Sequence, residues 1–105
     1  MKKFRNIITA AKDKSRVRGL THRFYTYPAG FSPIFVESAI ETFTKKKELV
    51  LDPFMGGGTT AVEAIKADRK VVGIDLNPIS SFVTTVKTTK LSQKNRDVIE
   101  KWAYK

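Results

Sequence analysis

Cysteine is absent from the 105-residue sequence, and histidine occurs once, as His22. Disulfides, thiolate metal sites and a cysteine nucleophile are therefore excluded within this chain, as is a histidine-rich metal cluster. No apolar run approaches the roughly 20 residues of a membrane-spanning helix, and no unbroken apolar stretch typical of a secretory signal follows the basic start. We therefore expect no membrane partner and a cytoplasmic location.

Acidic residues are also scarce, since ten Asp or Glu accompany twenty Lys or Arg and the formal net charge is +10. The excess lies at the two ends: residues 1–24 hold eight basic residues and one acid, and residues 87–105 hold six and two. Arg16, Arg18 and Arg23 stand close to aromatic residues, a mixture suited to phosphate contact and base stacking. We predict these three arginines as nucleic-acid contacts, and composition alone leaves DNA and RNA both open.

Apolar spacing and capping signals predict helices alternating with two strands. Ser32-Pro33 and Asn77-Pro78 each combine an N-cap residue with proline at the first helical position. The expected elements are a loosely helical arm over residues 1–19, a helix after Ser32, a strand at 48–51, a helix at 59–67, a strand at 70–74, a helix after Asn77 and a final helix after Ser92. Both strands have the continuous apolar character of buried parallel strands. These elements predict an α/β fold whose two-stranded sheet has open edges.

Three further expectations concern side chains outside the strands. The helix after Asn77 should turn inward the residues at helical spacing, which are Ile79, Phe82, Val83 and Val86. His22 should be a surface or loop histidine, because no acid lies near it in the sequence. Trp102 and Tyr104 should dock the last helix or an absent partner segment.

The most informative stretch links the two strands. Residues 50–60, V-L-D-P-F-M-G-G-G-T-T, place an acid and three glycines between a strand and a helix, and residues 71–75, V-V-G-I-D, end on a second acid. Glycines let the backbone turn sharply and approach a ligand closely. Because adjacent parallel strands end at one rim of a sheet, Asp52 and Asp75 should lie side by side, where a carboxylate can accept ribose hydroxyls. The spacing fits neither a P-loop nor the G-x-G-x-x-G rhythm.

Residues 52–60 resemble the D-P-F-x-G-x-G-T-T cofactor loop of the S-adenosylmethionine-dependent DNA methyltransferases that modify exocyclic amines, adenine N6 or cytosine N4. Residues 73–78, G-I-D-L-N-P, resemble the next motif of that family, and residues 25–33, Y-T-Y-P-A-G-F-S-P, are similar to its segment beside the methionine end of the cofactor. The resemblance implies a partial Rossmann-like methyltransferase fold, with parallel strands and flanking helices. It divides the chain into a basic N-terminal arm, residues 1–20, and an S-adenosylmethionine-binding portion, residues 21–105.

The same resemblance implies which residues hold S-adenosylmethionine. The cofactor would be lined by Asp52, Phe54, Gly56, Gly58 and Thr59, with Asp75 on the ribose and Phe31, Ser32 and Pro33 near the methionine carboxylate.

The catalytic motif of that family is Asp, Asn or Ser followed by Pro-Pro and an aromatic residue, and this sequence contains no Pro-Pro. An exocyclic amine is a poor nucleophile, so acceptor groups and an aromatic ring must hold the flipped base in line with the methyl group. We therefore predict no catalytic residue in this chain. It should be the cofactor-binding part of a site-specific DNA methyltransferase, inactive alone, whose partner polypeptide or missing C-terminal region carries the motif.

Two other interpretations stay open at this point. One is a non-catalytic nucleic-acid-binding module or regulatory subunit derived from a methyltransferase. The other is a nicotinamide dinucleotide-binding fragment, favoured by the distance between the glycines and Asp75.

Overall fold

The computed structural model describes residues 2–27 and 30–104. Pro28 and Ala29 therefore lie outside the described residues; they belong to residues 25–33, called the aromatic segment below. The elements in chain order are helix α1 Lys2–Lys12, a 3₁₀ turn His22–Phe24, helix α2 Pro33–Phe43, strand β1 Leu49–Asp52, helix α3 Thr59–Lys66, strand β2 Lys70–Gly73, helix α4 Pro78–Thr88 and helix α5 Gln93–Ala103. In these two described ranges, no helix is long and apolar enough to cross a membrane.

Strands β1 and β2 form a two-stranded parallel sheet, with Leu49 opposite Lys70 and Asp52 opposite Gly73. Helix α3 connects the two strands, as parallel neighbours require a crossover rather than a tight hairpin. The mixed α/β architecture confirms the expected partial Rossmann-like fold, in which parallel strands are flanked by helices.

The core lies between the sheet and helices α2 and α3. Val36 and Ile40 of α2 and Ala64 of α3 are buried there, and Val50 and Val71 pack against them from the two strands. Burying a Val or Ile side chain fully contributes roughly 1.5–3 kcal/mol, so this small cluster is the main apolar contribution to holding the strands in register.

The opposite face of the sheet is open, and the prediction that both strand faces are buried is wrong. Leu49 and Leu51 are 61% and 60% exposed, and Val72 and Ile74 are 45% and 53% exposed. Side chains alternate across a strand, so Val50 faces the helices while its two neighbours face away. An unbroken apolar run does not reveal this division.

Helix α4 begins after Asn77, whose side chain accepts a hydrogen bond of 3.0 Å from the Ile79 N–H. The helix is confirmed, and Val83 is buried as predicted, but the other three residues predicted to face inward are exposed, namely Ile79, Phe82 and Val86. The buried positions of α4 are Ser80, Val83, Thr84 and Lys87, which follow the same helical spacing rotated by one residue. Small and polar side chains on this face let α4 approach its neighbours closely.

The two terminal helices differ in how they pack. Helix α1 lies against α2, with the Phe4 and Phe43 rings 6.1 Å apart and Ala10 buried. Helix α5 buries none of its residues. Trp102 and Tyr104 are 77% and 91% exposed, so within the described residues they do not dock the last helix, contrary to that part of the expectation.

Candidate functional site

The ends of the two strands meet at one rim and are tied together by their backbone. The Ile74 N–H donates to the Asp52 carbonyl at 2.9 Å, and the Met55 N–H donates to the Ile74 carbonyl at 2.9 Å. These bonds extend the strand pairing beyond β1 and β2. They bring Asp75, which follows β2, next to residues 53–58, which follow β1 and are called the glycine loop below.

Asp75 is held at this rim by two backbone N–H groups. Its Oδ2 accepts from the Gly56 N–H at 2.8 Å, and its Oδ1 accepts from the Asn77 N–H at 2.8 Å. The bonds from Asn77 and Gly56 hold the pKa of the Asp75 carboxyl below its ordinary value. The group is therefore ionised at neutral pH and fixed in orientation.

The glycine loop is pressed between helix α4 and the aromatic segment. Gly58 is the N-cap residue of α3 and has a left-handed φ of +79°, and a Cβ there would lie 2.5 Å from the Thr84 Oγ1. A Cβ on Gly57 would lie 2.8 Å from the Tyr27 Cβ. Glycine is needed at both positions because of these close approaches, and at Gly58 because of its φ as well.

A cavity of about 260 Å³ lies beside the loop, between the strand ends and the aromatic segment. Its wall contains two carboxylates and three aromatic rings together with backbone of the loop. The lining residues are Tyr27, Gly30, Phe31, Asp52, Phe54, Met55, Gly56, Gly57, Thr59, Thr60 and Asp75. Asp52 is buried and accepts a hydrogen bond of 3.0 Å from the Phe54 N–H, whereas the Phe54 and Phe31 side chains are 84% and 60% exposed.

Six of the nine residues predicted to bind the cofactor line this cavity, namely Phe31, Asp52, Phe54, Gly56, Thr59 and Asp75. Gly58 does not line it and instead lies against Thr84 of α4. Ser32 and Pro33 line a neighbouring cavity of about 370 Å³ together with Arg16 and Arg18.

Lys87 is the residue near the loop that sequence reasoning missed. Its Nζ donates to the Gly57 carbonyl at 2.8 Å and to the Tyr25 carbonyl at 3.0 Å. The residue is 6% exposed, and burial lowers the pKa of its ammonium group. Its position seven residues after Ser80 on the buried face of α4 was the only signal, and it required knowing which face is buried.

His22 is buried rather than on the surface, so the expectation for it is wrong. Its Nε2–H donates to the Glu63 Oε1 at 2.7 Å, and Glu63 Oε2 accepts from Lys66 Nζ at 3.2 Å. Burial alone would raise the pKa of Glu63, but the hydrogen bonds from His22 and Lys66 and the charge of Lys66 lower it overall. The pair spans 41 positions, so sequence proximity could not show it.

The sequence has clear relatives among proteins of known function. A sequence model of a family described as DNA methylase matches residues 3–83. Type II methyltransferase M.MvaI of Kocuria varians is 39% identical over 80 residues, which cover 73% of this chain and 18% of that protein.

Two further relatives match with similar coverage. Type II methyltransferase M.BsoBI of Geobacillus stearothermophilus is 33% identical over 87 residues, covering 75% of this chain and 17% of that protein. Type II methyltransferase M.MjaII of Methanocaldococcus jannaschii is 31% identical over 78 residues, covering 74% of this chain and 14% of that protein. The chain therefore spans less than a fifth of the length of each of these three relatives.

Proposed function

This chain belongs to the DNA methylase family, and from that membership we propose that it is the S-adenosylmethionine-binding part of a site-specific DNA methyltransferase. The enzyme acts in the cytoplasm on an exocyclic amine, which is adenine N6 or cytosine N4. One observation carries the proposal. The cavity beside the glycine loop combines the carboxylates of Asp52 and Asp75 with the exposed rings of Phe31 and Phe54. These groups suit the ribose, the base and the positive sulfur of that cofactor.

The Asp75 carboxylate retains the capacity to bind a ribose. Each of its oxygens accepts one backbone N–H, and an ionised carboxylate offers about four acceptor positions, so both ribose hydroxyls can still be accepted. Its lowered pKa means that it stays charged at lower pH than an ordinary aspartate does. The hydrogen bond from Gly56 couples this acid to the loop, so cofactor contact at Asp75 also fixes the backbone that faces the cavity.

The remaining groups of the cavity suit the other parts of the ligand. The Phe54 and Phe31 rings present flat apolar surfaces on which an adenine can stack. Two carboxylates in one wall make the cavity negative, which favours a ligand carrying a positive sulfonium. The bound cofactor supplies an electrophilic methyl group, and the residues of this chain hold and orient it.

DNA is the proposed substrate, and the basic flanks of the chain are the proposed contact. Arg16, Arg18 and Arg23 are exposed. Arg23 lines a cavity that contains Gly57 of the loop, and Arg16 and Arg18 line the cavity that contains Ser32 and Pro33, so phosphates bound by these arginines would bring DNA towards the site. The Pro-Pro-aromatic motif is proposed to come from polypeptide beyond these 105 residues, in the same protein or in a partner subunit. The much greater length of the relatives supports that assignment.

Isothermal titration calorimetry of the 105-residue chain tests the cofactor assignment. We expect saturable binding of S-adenosylmethionine and of S-adenosylhomocysteine, and no measurable binding of NAD under the same conditions. Binding of NAD in preference to both adenosyl ligands would overturn the proposal in favour of the dinucleotide-binding alternative.

A second candidate function is a non-catalytic DNA-binding or regulatory subunit, favoured by the absence of Pro-Pro from these residues. The two candidates differ when a polypeptide carrying the Pro-Pro-aromatic motif is added. Transfer of labelled methyl groups to DNA by the mixture, and by neither component alone, supports the enzyme part. Salt-sensitive DNA binding that never leads to methyl transfer supports the regulatory subunit.

A further inference from the structure

A third cavity, of about 170 Å³, adjoins the cavity beside the glycine loop, and it is lined by basic residues instead of carboxylates. The two cavities share five lining residues, which are Tyr27, Gly30, Phe31, Gly57 and Thr59. The basic residues that line the third cavity are His22, Arg23 and Lys87, and among the described residues that line it there is no Asp or Glu. The site is therefore one cleft with carboxylates at one end and cations at the other.

Lys87 is the distinctive group of the basic end. Its ammonium is buried, and its hydrogen-bond acceptors among residues 2–27 and 30–104 are two neutral carbonyls, those of Gly57 and Tyr25. In the described part of the chain, no carboxylate lies within ion-pair distance of it. An ammonium has three N–H groups, so one remains beyond the two bonds that it makes to described residues. A buried charge without a counter-ion is costly, and its cost falls when an anion binds beside it.

The position of Lys87 relates it to the proposed cofactor site. Its Nζ lies directly behind the glycine loop, bonded to the carbonyl of Gly57, and that residue lines both cavities. A ligand whose ribose is held by Asp75 and that extends past Gly57 therefore enters the field of the Lys87 ammonium. The polarity of the cleft matches a molecule with hydroxyls and a positive sulfur at one end and a carboxylate at the other.

We propose that the basic end of the cleft takes the carboxylate of the cofactor's amino-acid group, and that Lys87 is the positive partner that selects for this carboxylate. The proposal rests on the proposed function, since it assumes that the acidic end holds the adenosine. It assigns a specificity-determining role to a residue that no motif of the family resemblance includes. Lys87 also holds the loop and the aromatic segment together, so the test must separate charge recognition from positioning.

The test compares S-adenosylmethionine with decarboxylated S-adenosylmethionine, which lacks only the carboxylate, by calorimetry on the full 105-residue chain. The wild-type chain should bind the intact cofactor about 10- to 100-fold more tightly, as expected for a charge-assisted contact. In Lys87→Met this preference should shrink to about threefold or less, because the charge that discriminates has been removed. Lys87→Arg should retain a clear preference, and Lys90→Met, an exposed lysine near the same helix end, should behave as wild type.

Several outcomes overturn the proposal. Equal affinity of the wild-type chain for the two ligands overturns it without any variant, so the test stands even if Lys87→Met does not fold. An equal loss for both ligands in Lys87→Met assigns Lys87 to positioning alone. If the wild-type chain binds neither ligand, the proposed function itself fails, and this result differs from binding without discrimination.

Discussion

Replacing Gly58 by alanine tests the close packing of the glycine loop against α4. An alanine at φ +79° would occupy the left-handed region, which costs about 1–2 kcal/mol for a residue with a Cβ. Its Cβ would also lie 2.5 Å from the Thr84 Oγ1 and 3.0 Å from the Thr84 Cβ and Cγ2. Thr84 is buried and β-branched, so it cannot turn away freely, and such overpacking costs about 1–3 kcal/mol. Gly58→Ala should therefore lower the free energy of unfolding by about 2–5 kcal/mol.

The chain contains a matched control for the backbone contribution. Gly19 has φ +81°, and a Cβ there would meet no atom within 4 Å. Urea unfolding followed by circular dichroism should show a loss of only about 1–2 kcal/mol for Gly19→Ala. In a Thr84→Ala background, Gly58→Ala should lower the free energy of unfolding by less than it does in the wild-type chain, because two of the clashing atoms, the Thr84 Oγ1 and Cγ2, are absent. If Gly58→Ala costs no more than Gly19→Ala, the close approach of α4 to the loop is refuted.

Three further predictions concern the charged groups. The folded-state pKa of Glu63 lies below its ordinary 4.5, so the stabilisation that its carboxylate contributes is complete above pH 4.5 and is lost as pH falls through the lowered pKa. In Glu63→Gln the free energy of unfolding should therefore fall less steeply at acid pH. An unchanged acid pH dependence would contradict the His22–Glu63–Lys66 network. Asp75→Asn should weaken S-adenosylmethionine binding by about tenfold or more in calorimetry, whereas exposed Asp97→Asn should not; equal affinities remove Asp75 from the site. Replacing Arg16 and Arg18 by alanine should reduce the slope of log DNA affinity against log salt concentration by about 2, whereas replacing Lys45 and Lys46 by alanine should leave the slope unchanged. A slope equal to that of the wild-type chain in the arginine variant would exclude Arg16 and Arg18 as phosphate contacts.

The elements of the fold could be predicted because their signals are local. Asn77-Pro78 marks the start of α4 through a side-chain cap and a proline that needs no hydrogen bond, and the structure shows that cap. Ser32-Pro33 correctly marks the start of α2, although the Ser32 side chain makes no capping bond. The short apolar runs gave both strands, and the rule that parallel strands end at one rim brought Asp52 and Asp75 to one cavity.

The covered side of each element could not be predicted, because it depends on which layers the chain brings together. Val72 has the same character as its partly buried neighbour Val71, yet it faces away from the helices. On α4 the apolar spacing selected Phe82, while packing against the glycine loop selected the smaller Thr84. The buried His22–Glu63 pair joins positions 41 residues apart, so no local pattern indicates it.

The open face of the sheet governs how the isolated chain should behave in water. The exposed side chains of Leu49, Leu51, Val72 and Ile74 form an apolar surface, and burial of such a surface favours self-association of the chain. Dilute preparations should stay dispersed, and larger particles should grow as the concentration rises. Sulfate should accelerate this growth for two reasons: it strengthens the hydrophobic association of the apolar surfaces, and it screens the repulsion between chains that each carry a net charge of +10.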